Sequence, residues 1–153
     1  MNDNAKSRTY APGEALLREV ASLAAKGQRI AYTPFAGDDE FKANGLRPYA
    51  LYRDLGVADA TNGLVQAHVI RMRPPFPESM KKRHYHATVF QMMYILKGST
   101  TVQIGDDPPM TMSAGGCWIQ PPGVEHTVLD YTPDFEVLEV LLPANFATVD
   151  VGA

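Results

Sequence analysis

Apolar residues first recur along this chain at helical spacing. Leu16, Leu17, Val20, Leu23 and Ala24 fall on one side of a helix, with Glu14, Arg18, Glu19 and Lys26 on the other. Pro12 near the first turn and Gly27 past the last are the punctuation such a helix needs. The pattern predicts a packing helix, preceded by a mobile arm over residues 1–10. After Gly27 the period shortens to two. Gln28 to Phe35 reads as a short strand stopped by Pro34, and Pro48 to Asp54 as another. Leu64 to Arg73 sets Val65, Ala67 and Val69 against Gln66 and His68. Pro74-Pro75-Phe76-Pro77 lacks the N–H donors of a central strand and is a loop.

Further strands are expected over Gln91 to Lys97, Ser99 to Ile104, Met110 to Ser113, Cys117 to Gln120, from His126, and over Phe135 to Leu142. Met93 and Ile95 then share the face of Gln91, while His126, Val128 and Asp130 share another. Many short strands broken by Gly, Pro and Asp turns predict a β-sandwich or jelly-roll barrel.

Composition changes this picture little. At 153 residues, with 45% hydrophobic and 20% charged residues, the chain has the size and balance of one soluble domain. A net charge of -3 offers no basic surface to nucleic acid. No apolar run approaches membrane-spanning length, and the first residues, Met1 to Arg8, lack the apolar core of an export signal. Cys117 is the lone cysteine, so no internal disulfide forms. A cytoplasmic protein is expected, with Cys117 packed in a strand rather than acting as a nucleophile.

The histidines change it more. The chain has four, and three sit in two short stretches, His84-Tyr85-His86 and Pro121-Pro122-Gly123-Val124-Glu125-His126. On a strand, His84 and His86 point to one face. His84, His86, four residues, Gln91, six residues and Gly98 match the first motif of the cupins, with Gln91 where that motif has Glu and Glu78 where it has a leading Gly. Gly115, Pro121, Gly123 and His126 match the second, with Asp130 in place of its final Asn. Over roughly residues 64 to 142 the sequence therefore resembles the small single-domain bacterial cupins.

That resemblance implies an all-β fold, a cupin jelly-roll or double-stranded β-helix barrel with an N-terminal helical segment. The arm and helix would occupy residues 1–45 and the barrel 46–150, as one domain overall. It also implies one divalent transition metal ion per chain on His84, His86 and His126, with Gln91 as a fourth or adjacent ligand, and a homodimer. Strand-like material before Leu64, which needs a sheet edge to pair with, points to the same homodimer. Imidazole suits iron, zinc, manganese, nickel and copper, and iron(II) is the leading expectation.

Because Gln91 brings no charge, the centre is expected to keep the full charge of its ion and to favour a small, oxygen-rich anionic molecule as substrate. The leading function is a dioxygenase cleaving a β-diketone or a similar enolate-forming compound. The alternatives are a redox-neutral metallo-isomerase, lyase or hydrolase, and a non-catalytic binding module. Lys81-Lys82-Arg83 either guides an anion to the pocket or forms a solvated loop, and His68 either lines the pocket or packs. Asp130 either sits near the ligands or lies at the surface, and Tyr85, Phe90, Met93, Tyr94 and Trp118 are candidates for an apolar wall.

Overall fold

The computed structural model describes residues 8–152, so residues 1–7 of the expected arm lie outside the described residues. Helix α1 spans Glu14–Ala25, and a short α2 spans Val57–Ala60. Ten strands make the rest: β1 (Ala50–Asp54), β2 (Gln66–Met72), β3 (His84–His86), β4 (Phe90–Lys97), β5 (Ser99–Ile104), β6 (Met110–Ser113), β7 (Cys117–Ile119), β8 (His126–Tyr131), β9 (Glu136–Leu142) and β10 (Thr148–Asp150). They form two five-stranded sheets, ordered β1-β2-β9-β4-β7 and β10-β3-β8-β5-β6, with antiparallel pairing throughout. This is the all-β cupin jelly roll with its N-terminal helix. Among the described residues no helix is long and apolar enough to cross a membrane.

The alternation read from the sequence decides which side chains meet between the sheets. Gln91, Met93 and Ile95 of β4 and Val137, Glu139 and Leu141 of β9 are buried on one face. Ala50 and Tyr52 of β1 and Ile70 and Met72 of β2 join them from the same sheet, and Val102 and Val128 of the second sheet complete the core with Phe135. Each large apolar side chain so buried contributes roughly 1.5–3 kcal/mol relative to water.

Four expectations change. Residues 28–36 form no strand; side-chain bonds such as Arg53 Nη2 to the Thr33 carbonyl and Thr33 Oγ1 to the Leu55 carbonyl hold the segment near β1 in place of a strand ladder. Helix α1 packs loosely, with no buried residue. Cys117 is in a strand but exposed, since its side chain points away from the core. Asp130 is also exposed. Thr101 pairs with Asp130 while Val102 pairs with Val128, so Leu129 is an extra residue in β8. That bulge reverses the alternation, turns Asp130 outward and puts Tyr131 in the core.

Candidate metal centre

Strand register brings the three motif histidines together. His84 of β3 lies opposite His126 of β8, and His86 follows two residues along on the same face. All three are buried, and their ligand atoms lie within 4.8 Å of one another. Ring centroids are 4.2 Å apart for His84 and His126, 4.9 Å for His84 and His86, and 5.1 Å for His86 and His126.

The outer ring nitrogens are all occupied. His84 Nδ1 lies 2.8 Å from the Lys82 carbonyl, His86 Nδ1 2.9 Å from Thr148 Oγ1, and His126 Nδ1 3.3 Å from the Val124 carbonyl. A carbonyl only accepts, so His84 and His126 donate from Nδ1, which leaves the Nε2 lone pairs for a shared ion. Thr148 lies on β10, a short strand the sequence did not reveal, which pairs with β3 along its whole length. Burial lowers all three imidazoles below their ordinary range, His86 to about 4 and His126 to about 3. They are therefore neutral near pH 7, the form that binds metal. Neutral, convergent and oriented from behind, this donor set fits one divalent transition ion.

Gln120 closes the inner side. Its Oε1 accepts from Trp118 Nε1 at 2.9 Å, and its amide N–H donates to His126 Nε2 at 3.3 Å, a bond that a shared ion would replace. Gln91 is only 2% exposed, and its amide nitrogen donates to Glu139 Oε2 at 2.9 Å. The carbonyl oxygen is then the one atom Gln91 has to offer a metal.

Glu139 is the residue the sequence reading missed. It lies directly opposite His68 in the β2–β9 register, with His68 Nε2 2.6 Å from its Oε1. Burial pushes its carboxyl up, but hydrogen bonds from His68 and Gln91 and the charge of Arg47 outweigh that, holding it below the usual range. An ionised carboxylate accepts only, so His68 is the donor in that bond. The uncharged surroundings expected from Gln91 are thus not found, because a carboxylate sits one hydrogen bond beyond it. The available signal was a lone acid within Val137-Leu138-Glu139-Val140-Leu141.

Glu139 and His68 open onto a cavity of about 620 Å³ whose lining also includes His86, Arg47, Tyr52 and Phe146. His68 therefore lines the pocket, with its ring 5.2 Å from that of Tyr52. The Lys81-Lys82-Arg83 cluster does not. Lys81 pairs with Glu78, Lys82 with Asp150 and Arg83 with Glu125, so the run braces the loop before β3. Of the aromatic candidates, Phe90 and Tyr94 are exposed.

Comparison with known proteins agrees with this architecture. Residues 76–140 match the family model described as Cupin domain. No curated protein sequence matches the chain. Among solved structures, KdgF from Halomonas sp. is 18% identical, with 73% of this chain and 96% of that chain covered and a TM-score of 0.56. Oxalate decarboxylase from Bacillus subtilis is also 18% identical at a TM-score of 0.56 over 81% of this chain. The match spans about a third of the decarboxylase, 34% of its length. A conserved double-stranded β-helix protein from Klebsiella pneumoniae is 15% identical over 80% of this chain and 100% of that one, with a TM-score of 0.56. At such identities the likeness is one of fold.

Proposed function

The chain carries a cupin domain, and from that premise we propose that it is a metal-dependent enzyme moving a proton on a small, oxygen-rich anion, as an isomerase or lyase does. One observation carries the choice: the part-buried Glu139–His68 pair opens onto the same cavity as His86. His84, His86 and His126, with the Gln91 oxygen as a fourth donor, would hold one divalent transition ion. Bound there, the ion supplies a Lewis acid for the oxygens of a chelating anion or, as iron, a partner for dioxygen.

The remaining work falls to the chain's own groups. Glu139 is the base that takes a proton beside the substrate's carbonyl or hydroxyl group. His68 supports the carboxylate from β2 and Gln91 orients it from β4, so its position does not depend on solvent. Phe146 and Ile70 keep part of the wall apolar. The dioxygenase remains a second reading, favoured by the all-neutral histidine set, and it needs no such base. The test loads the protein anaerobically with Fe(II), Mn(II) or Zn(II) and follows solvent deuterium entering α-keto acids and β-diketones by NMR. Exchange or product formation without oxygen is the expected result. Turnover strictly matched to oxygen uptake would replace this reading with the dioxygenase.

The homodimer belongs to the same proposal, and two exposed apolar surfaces support it. Ile30, Tyr32 and Phe35 are 86%, 88% and 60% exposed on an arm anchored at the β1 end of the first sheet. Arg29 N–H donates to the Ala60 carbonyl, and Thr33 Oγ1 donates to the Leu55 carbonyl. A second apolar strip, Phe90, Tyr94, Leu96 and Ile119, lies outside β4 and β7 of that sheet. With β1 three strands from β4, roughly 14 Å at sheet spacing, each arm is held away from its own strip. A twofold pairing lets each copy's arm cover the other's strip. Untagged protein is expected at twice the chain mass by light scattering at micromolar concentration, and Tyr32→Glu should shift it toward monomer. A wild-type mass of one chain would refute the pairing.

A further inference from the structure

We propose that Arg47 is a receptor for a carboxylate on the substrate, so that the preferred ligand carries a carboxylate in addition to the oxygens facing the histidines. The inference rests on the metal-centre reading above and adds the chemical class of its ligand.

The argument is a census of charge in the cavity. Three acids and two cations of the barrel and its lead-in segment line it: Glu40, Asp54, Glu139, Lys42 and Arg47. Each acid already has a donor. Glu40 Oε2 accepts from Arg53 Nε at 2.6 Å, Asp54 Oδ1 from the Gly56 N–H at 2.9 Å, and Glu139 from His68 and Gln91. Neither cation touches an acid: among the described residues Arg47 and Lys42 form no ion pair within 4.0 Å, and Glu139 acts on Arg47 only through its charge at longer range. Lys42 is exposed, where solvent can satisfy an ammonium. Arg47 is part-buried, and its one side-chain hydrogen bond runs from Nη1 to the Tyr131 hydroxyl at 3.1 Å. A guanidinium has five N–H donors in a fixed fork, and a carboxylate matches two of them at once.

The chain holds this fork in place from several directions. The Arg47 backbone N–H donates to the Tyr52 hydroxyl at 3.2 Å, and the Arg47 carbonyl accepts from Ala50 N–H at 3.2 Å. Gly45 lets the loop lie against the Tyr52 ring, since a Cβ there would stand 2.2 Å from it. The bulge in β8 supplies the other anchor by turning Tyr131 inward. Arg47 also borders the inner wall of the barrel beside Gln91, Gln120 and Glu139. His86, Glu139 and Arg47 thus line one cavity, within which a single small ligand would meet all three.

The test titrates succinate, with propionate as the one-carboxylate control, into the full-length protein in metal-free and zinc-loaded forms. Binding is read by calorimetry and by the NMR resonance of the Arg47 Nε–H. Succinate is expected to move that resonance in a saturable way in both forms, and in the zinc form to bind at least ten-fold more tightly than propionate. Arg47→Gln should remove that preference while zinc content stays at the wild-type level. Arg47→Lys covers the case in which that variant misfolds: it keeps the charge without the fork and should lose several-fold in succinate affinity. Failure to bind zinc, with the Arg47 response intact, would remove the metal reading and support the carboxylate receptor. Unchanged succinate affinity in a folded Arg47 variant, or an Arg47 resonance that never moves, would overturn the receptor.

Discussion

His126→Ala protein, purified without an affinity resin, is expected to hold less than a tenth of the wild-type divalent metal and to show no turnover. His126 is the most buried of the three, with its ring close to that of His84 and within reach of His86. Its Nδ1 faces the Val124 carbonyl, so its Nε2 is aimed before any ion arrives. Removing it leaves two imidazoles, too few neutral donors for a tight complex. The fold should survive, because the neighbouring core of Val128, Val102 and Phe135 is untouched. Metal analysis and circular dichroism on the same sample decide the matter. Wild-type metal content in the variant would show that the cluster is packing and not a ligand set.

Glu139→Gln is the second large effect, and it should act on rate without changing metal content. The substitution keeps the side chain's shape and removes its charge and basicity. His68 keeps an acceptor in the new amide oxygen. Gln91 loses its ionised partner, which costs about 1.5–3 kcal/mol of charge-assisted bonding before relaxation. A positioned base contributes roughly 10²–10⁴-fold, so kcat on whichever anion turns over should fall by that factor. Metal content should stay within two-fold of wild type, and deuterium exchange should vanish. Loss confined to metal content or to stability, with kcat per bound metal unchanged, would make Glu139 a structural acid. Oxygen uptake that survives the substitution would favour the dioxygenase.

What the sequence made legible follows a physical rule: local periodicity can be read, and pairing between distant strands cannot. His84 and His86 declare a shared face because strands repeat every two residues, and the Pro-Pro-Gly turn before His126 marks the second ligand segment. Glu139 was hidden because its meaning lies in its neighbours. It faces His68, 71 positions earlier, and Gln91, 48 positions earlier. Asp130 was set on the His126 face because the bulge that turns it outward has no local sequence signature. Thr148 lies on a three-residue strand whose residues are all exposed, so it carries no alternation to detect. The Lys81-Lys82-Arg83 run looked available because two of its partners, Glu125 and Asp150, are distant in sequence.

The hydrogen bond between Gln91 and Glu139 also constrains how this site can diverge over evolutionary time. Restoring the motif's glutamate by Gln91→Glu alone would set two carboxylates about where a 2.9 Å hydrogen bond now lies. One of them would then have to hold a proton to relieve the repulsion. Removing Glu139 alone strips the site of its anchored carboxylate. Either single step loses function, whereas the paired exchange Gln91→Glu with Glu139→Gln keeps one charge and one amide in contact. The two positions therefore behave as an epistatic unit. Descendants of this chain should carry glutamine with glutamate, or glutamate with a neutral partner, and lineages with two acids or none should have given up the chemistry.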